Sequence, residues 1–219
     1  IKLVASVILS YDDKDFDMDS NYHFRTESQL SQSPKFAFVK GPVWNSGEKD
    51  MQEQIQKFVK KSDFNIEILE LGPDFEEAAE CHEIIMNGSI SRSLLSYYTK
   101  DKSKLHPYTI KRIEAGIPAP ANKYINAIEK AKKMKQILNN IFKKYDAIIT
   151  PAAPGQAPRD LMNTGNAIFN GYWTMMGTPA ISLPLLKGDD GLPIGVQVIT
   201  SWHNEAELID ISNKIVSHA

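Results

Sequence analysis

The reading turns on three linked stretches near the end of the chain. The first is Tyr145-Asp146-Ala147-Ile148-Ile149-Thr150-Pro151-Ala152-Ala153-Pro154. The second is Trp173-Thr174-Met175-Met176-Gly177-Thr178-Pro179-Ala180-Ile181-Ser182-Leu183-Pro184, and the third is Gly191-Leu192-Pro193-Ile194-Gly195-Val196-Gln197. Ala147 to Thr150 is a short apolar run cut off by Pro151, which reads as a buried strand. Ala180 to Leu186 and Ile194 to Thr200 read as two more strands. The turn-forming Lys187-Gly188-Asp189-Asp190-Gly191 joins them. Proline at strand ends suits a sheet edge, where a missing N–H is tolerated.

Upstream, the pattern alternates between strand and helix. Phe36 to Lys40 reads as a strand closed by Gly41-Pro42. Met51, Ile55, Phe58 and Val59 recur at helical spacing, which predicts a helix over about residues 48–61. Ile66 to Leu71 is strand-like, completing the strand-helix-strand unit of a parallel sheet. Residues 75–98 read as helical with a break near Gly88, and Lys100 to Leu105 as a charged, flexible connection. A short helix follows Pro107 and ends near Gly116. From Ala119 or Pro120 to Lys144, the residues Tyr124, Ile128, Ala131, Met134, Leu138, Ile141 and Tyr145 form one apolar stripe, with lysines opposite. The last helix starts at Asn204, with Glu207 placed to complete a capping box.

At the other end, Ile1 to Ser10 reads as the end of a helix, and residues 21–34 as a polar loop. Between them Asp13, Asp15, Asp17 and Asp19 alternate. A calcium loop would need Gly and Glu where Met18 and Phe24 stand, so the segment reads as a solvated acidic turn. The start at Ile1 and the unpunctuated end Ser217-His218-Ala219 lead us to expect a fragment.

Bulk composition excludes several classes. The 219 residues are 42% hydrophobic and 24% charged, with 25 Lys and Arg against 27 Asp and Glu, a net charge of -2. That balance offers no long-range attraction to nucleic acid or an anionic membrane, and no apolar run is long enough to span one. One cysteine, Cys81, rules out an intrachain disulfide and fits a cytoplasmic location. Cys81-His82 is not a catalytic pair by adjacency, because neighbours on a helix point ~100° apart. The five histidines lack metal-ligand spacing, so no metal is expected.

The three quoted stretches resemble the C-terminal part of the amidase-signature family. That family runs a strand into a Thr-Pro step, then Gly-x-Pro-Ala-x-Ser-x-Pro, then Gly-Leu-Pro-x-Gly-x-Gln and a closing helix. Gly177, Pro179, Ala180, Ser182, Pro184, Gly191, Leu192, Pro193, Gly195 and Gln197 match every anchor. The resemblance is looser but continuous upstream, over Val4 to Asp15 and Phe36 to Trp44. It implies an α/β fold, part of a mixed β-sheet covered by helices, with the whole chain as the C-terminal part of one amidase domain. Within it, residues 1–34 would be a helix end plus loop, 35–145 the strand-helix-strand and helical region, and 146–219 the last strands and closing helix.

The resemblance also implies hydrolysis of carboxylic amides to acid and ammonia or amine, without a cofactor. The family's Ser-Ser-Lys triad lies in a Gly- and Ser-rich segment of the other half of the fold. This sequence has no Gly-Gly or Ser-Ser pair, so no catalytic residue is assigned and the chain alone is expected to be inactive. By position, Thr150, Pro151, Phe169, Tyr172, Trp173 and Thr174 are the substrate-binding candidates. Phe169, Tyr172 and Trp173 suit either an apolar pocket wall or plain core. Many relatives, including amidotransferase subunits that act on charged tRNA, carry Asn where Thr174 stands; Trp173-Thr174 looks more like the small-amide and aryl-amide amidases. The expected partners are an amide substrate and the missing N-terminal half of the fold, with a homo-oligomer possible. The alternatives are a non-catalytic binding module that kept the fold and an amidotransferase A-type subunit.

Overall fold

The computed structural model describes residues 1–15, 18, 20 and 24–218. Asp17 and Asp19 of the acidic turn, and His23, lie outside the described residues. Five strands, β1 (Lys35–Phe38), β2 (Asn65–Ile68), β3 (Ala147–Pro151), β4 (Ala180–Lys187) and β5 (Pro193–Ile199), form one sheet in the order β2-β1-β3-β5-β4. β1 pairs in parallel with both β2 and β3, whereas β5 runs antiparallel to β3 and β4. The sheet is therefore mixed, and the fold is α/β as expected. The helices are α1 (Lys2–Ile8), α2 (Lys49–Lys61), α3 (Ala78–Asp101), α4 (Pro107–Gly116), α5 (Ala121–Phe142), α6 (Ile168–Met176) and α7 (Glu205–Ser217). Among the described residues, no helix is long and apolar enough to cross a membrane.

The central strands are buried on both faces, which explains their unbroken apolar runs. Phe36, Ala37, Phe38, Ile148, Ile149, Val196 and Val198 are at most 1% exposed. Burying side chains of this size contributes about 1.5–3 kcal/mol each. β2 and β4 are edge strands. Pro184 sits on β4 where the register shifts between Leu183 and Leu186, a position where its missing N–H breaks no ladder. The α5 stripe faces inward: Met134 and Leu138 are buried, Tyr124, Ile128, Ala131 and Ile141 are half-buried, and Ala127, outside the predicted stripe, is buried too. α7 packs on β4 and β5 through Leu208, Ile211 and Ile215. Helices α3, α4, α5 and α6 pack on one another.

Several expectations are corrected. Strands β1 and β2 end sooner than the apolar runs predict, although Val39 still donates to Ile149 and Leu69 to Phe38, both at 2.9 Å. α3 is unbroken at Gly88. A Cβ there would lie 2.8 Å from the Tyr124 ring, so this glycine serves close packing of α5 on α3, not a bend. Lys100 to Leu105 is not an irregular connection: α3 continues to Asp101 and Lys102–Lys104 forms a 3-10 turn. The Asp101 carboxylate accepts the Ser103 N–H at 3.2 Å.

The capping box on α7 does not form. Neither Asn204 nor Glu207 folds back on the helix end. The Glu207 carboxylate instead accepts Arg25 at 3.0 and 3.1 Å and the Gln29 N–H at 3.1 Å. Pairing with a guanidinium plus a backbone N–H outcompetes a single carboxylate-to-N–H cap. Finally, α6 has no counterpart among the expected elements. Its buried face, Phe169, Tyr172, Trp173 and Met176, does recur at helical spacing, but the run is only 9 residues long and holds Asn170 and Gly171. It is closed by Gly177 in the left-handed region, at φ 68°, whose N–H bonds to Thr174.

Candidate functional site

β3 delivers the chain to the site. After Pro151 the segment 152–158 leaves the sheet, and Ala152 keeps one ladder bond to Gly195 at 3.1 Å. Pro154 accepts the Glu48 N–H at 2.7 Å, which ties the start of α2 to this segment. The return path to α6 is set by side chains folding onto their own backbone. Asp160 accepts from Met162, Asn163 from Gly165 and Asn166 from Ile168, each two residues on and at 2.9–3.0 Å. Gln156 accepts the Leu192 N–H at 3.1 Å and so anchors the β4–β5 turn to the same region.

These segments enclose a cavity of about 700 Å³ lined by residues 152–158, 163–167 and 170 with Glu48, Ser182, Pro193 and Gly195. Its polar groups are mostly neutral amides and hydroxyls, and Glu48 is its one ionisable lining residue among those described. The side chains of Thr164, Asn170 and Ser182 are unengaged among the described residues. The lining holds two hydroxyls but no lysine, histidine or cysteine. The one ionisable lining group, Glu48, makes no hydrogen bond to either hydroxyl.

A second cavity of about 390 Å³ adjoins the first through Asn166 and Ala167. His82, Glu83, Tyr108, Arg112 and Tyr172 line it. Arg112 is committed: it forms a forked pair with Glu83, donates to Asn87 at 3.0 Å and donates to the Tyr108 hydroxyl at 2.5 Å. The Glu83 pairing raises its pKa further. Burial pushes the His82 imidazole below its usual value; Arg112 adds to that and Glu83 opposes it. Burial also raises the Cys81 thiol, which keeps it protonated and unreactive.

The six candidates from sequence are divided by the fold. Thr150 and Pro151 are buried at the end of β3, just before the first cavity. Phe169, Tyr172 and Trp173 are no more than 1% exposed, and Tyr172 also edges the second cavity. The Tyr172 hydroxyl, Thr150 Oγ1 and Trp173 Nε1 are all buried without a partner in hydrogen-bonding geometry. Burial drives the phenol's pKa up, and the nearby Thr150 and Trp173 pull it only partly back. Thr174 is exposed and faces elsewhere, onto an apolar groove with Ile1, Leu9, Phe24, Pro179 and Leu208.

Sequence reasoning missed Glu48, Gln156, Asn163, Asn166 and Asn170. The only signal was the density of Asn, Gly and Pro in residues 151–170, which marks a loop with a job beyond connection.

The family model described as Amidase matches residues 1–209. The A subunit of the glutamyl-tRNA(Gln) amidotransferase of Wolbachia sp. subsp. Drosophila simulans (strain wRi) is 31% identical over 116 residues, covering 48% of this chain and 24% of the relative. The chain thus spans about a quarter of the length of that curated relative. A solved amidase superposes with a TM-score of 0.77 at 16% identity, over 88% of this chain and 47% of the other. A bacterial aryl acylamidase of the amidase-signature enzymes gives a TM-score of 0.70 at 14% identity, over 87% and 44%. At such identities the superpositions establish the fold alone.

Proposed function

The chain belongs to the amidase family, a family of amide hydrolases, and from that premise we propose that it forms the C-terminal part of an enzyme cleaving carboxylic amides. Residues 1–219 supply a substrate-facing wall and part of the sheet, and the Ser-Ser-Lys triad comes from outside this chain. One observation supports the reading: the cavity of about 700 Å³ is lined with amide and hydroxyl groups suited to orienting a small polar molecule, yet neither of its hydroxyls is hydrogen-bonded to a base. A binding surface without a nucleophile-base pair is what half of an active site looks like.

In this reading Thr150 and Pro151 set the point where β3 turns into the cavity wall. Phe169, Tyr172 and Trp173 hold α6 rigidly behind that wall, and Thr174 belongs to the face that meets the triad-bearing part. That face is apolar. Leu3, Val4, Val7 and Ile8 of α1 are 58–79% exposed, and β4 is an open sheet edge beside them. Exposed apolar surface of this extent needs a cover.

A second reading, an amidotransferase A-type subunit, draws support from the curated relative named above. A non-catalytic module that kept the fold is the third.

The test is ammonia release from aliphatic and aromatic amides by this chain alone, and by the chain co-expressed with the N-terminal half of a related amidase. Silence alone and turnover together support the proposal. Turnover alone would place a nucleophile inside these residues and overturn it. Activity that demands glutamine and further subunits would favour the amidotransferase reading.

A further inference from the structure

We infer that Glu48 is a specificity-determining residue that selects amides carrying a protonated amine; the inference rests on the first cavity being the substrate site. Glu48 occupies the N-cap position of α2, where a side chain of suitable length can bond to the helix's free N–H groups. It makes no such bond. Its carboxylate lies instead across the α-carbon of Gly155, inside the cavity rim, so close that a Cβ on residue 155 would overlap it. Gly155 is thereby explained as the residue that makes room for the carboxylate.

Nothing among the described residues neutralises that charge. Glu48 has no ion pair or side-chain hydrogen bond with any of them. In the neighbouring segments, Asp190 is paired with Arg159, and Asp50 accepts the Asp189 N–H at 2.9 Å. The remaining lining is uncharged. A single unpaired carboxylate on a cavity of neutral dipoles attracts a cationic group and repels an anionic one. Glu48 is exposed, so the discrimination at this rim is about twofold to fivefold between a cation and its neutral isostere, the strength of an exposed ion pair. Asn170 and Ser182, both unengaged, are left to hold the amide itself.

The experiment is a titration of the isotopically labelled chain, followed by the backbone amide shifts of Gly155, Asn166, Asn170 and Gly195. The probes are 4-aminobutanamide, butanamide and succinamate, which differ in charge. The expected order of affinity is cation, neutral, anion, with the first step about twofold to fivefold and shrinking as salt is added. Glu48→Gln should remove both the order and its salt dependence. Gly155→Ala should do the same with Glu48 still present, by displacing its carboxylate. Equal affinities for the three probes in the unaltered chain would overturn the role of Glu48 while leaving the cavity as an amide site. Shifts from none of the probes would remove the cavity reading, and this inference with it.

Discussion

Replacing Tyr172 by Phe removes one oxygen from the centre of the molecule, and the structure sets the sign of the effect. The residue is fully buried, and its hydroxyl has no partner in hydrogen-bonding geometry. It presses on the α-carbon of Gly41, where φ is 77° and a Cβ would overlap it. A buried hydroxyl without a partner costs about 1–3 kcal/mol, and the substitution removes that cost. The void left is smaller than a methylene, so the packing loss stays below about 0.8 kcal/mol. Tyr172→Phe should therefore stabilise the chain by about 1 kcal/mol, a rise of about 2–4 °C in Tm for a chain of this size. Urea and thermal unfolding measure it directly. Thr150→Val and the double variant complete a cycle, and without a bond between the two hydroxyls their effects should add within about 0.5 kcal/mol. A destabilised Tyr172→Phe variant with a larger coupling would mean that the phenol is bonded in solution, and the argument from an unpartnered group would fail.

Three further outcomes can be checked on the same unfolding measurements. Glu207→Ala removes the acceptor of both Arg25 and the Gln29 N–H. It should cost about 1–2 kcal/mol, the pair being half-exposed on the Arg25 side, and should speed proteolysis within residues 24–34; unchanged cleavage there would count against the clasp. Gly88→Ala would gain about 1 kcal/mol of helix propensity on a free helix. Here the new methyl meets the rigid Tyr124 ring at 2.8 Å, so overpacking of about 1–3 kcal/mol wins. The same change on a Tyr124→Ala background should become stabilising. His82 is held below the ordinary imidazole pKa of about 6.5 by burial. Above that pH both folded and unfolded chains are neutral at His82. As pH falls below it, the unfolded chain takes up the proton first and stability declines. His82→Gln should flatten the loss of stability between about pH 6.5 and 5; an identical slope would show that His82 does not drive it.

The candidate site was legible only in outline. The Pro-bounded strands were legible because proline and glycine mark chain direction locally whatever surrounds them, and Thr150 and Pro151 end β3 just before the cavity lining begins at Ala152. The lining itself was not legible. Glu48 stands at a helix start far upstream of Gly155, Asn170 and Ser182, and only chain folding brings their side chains to one rim. Phe169, Tyr172 and Trp173 were equally compatible with wall and core, since an aromatic ring has the same hydrophobicity in either place; their burial was fixed by the packing of α6, a helix of 9 residues, against α3 and α5.

By itself, then, the sequence determined the elements whose signals are local: the strands of the β4–β5 hairpin, β3, the α5 stripe and the start of α7 at Asn204. Those patterns follow from backbone geometry and side-chain hydrophobicity within a few residues. Tertiary structure alone decided the sheet order, the unbroken path of α3 past Gly88, and the use of Glu207 as a partner for Arg25, 182 residues away, in place of a helix cap. It also decided which polar groups were left unpaired, Glu48 at the cavity rim and Tyr172 in the core. Whether a polar atom finds a partner depends on neighbours distant in sequence, and no local pattern encodes it.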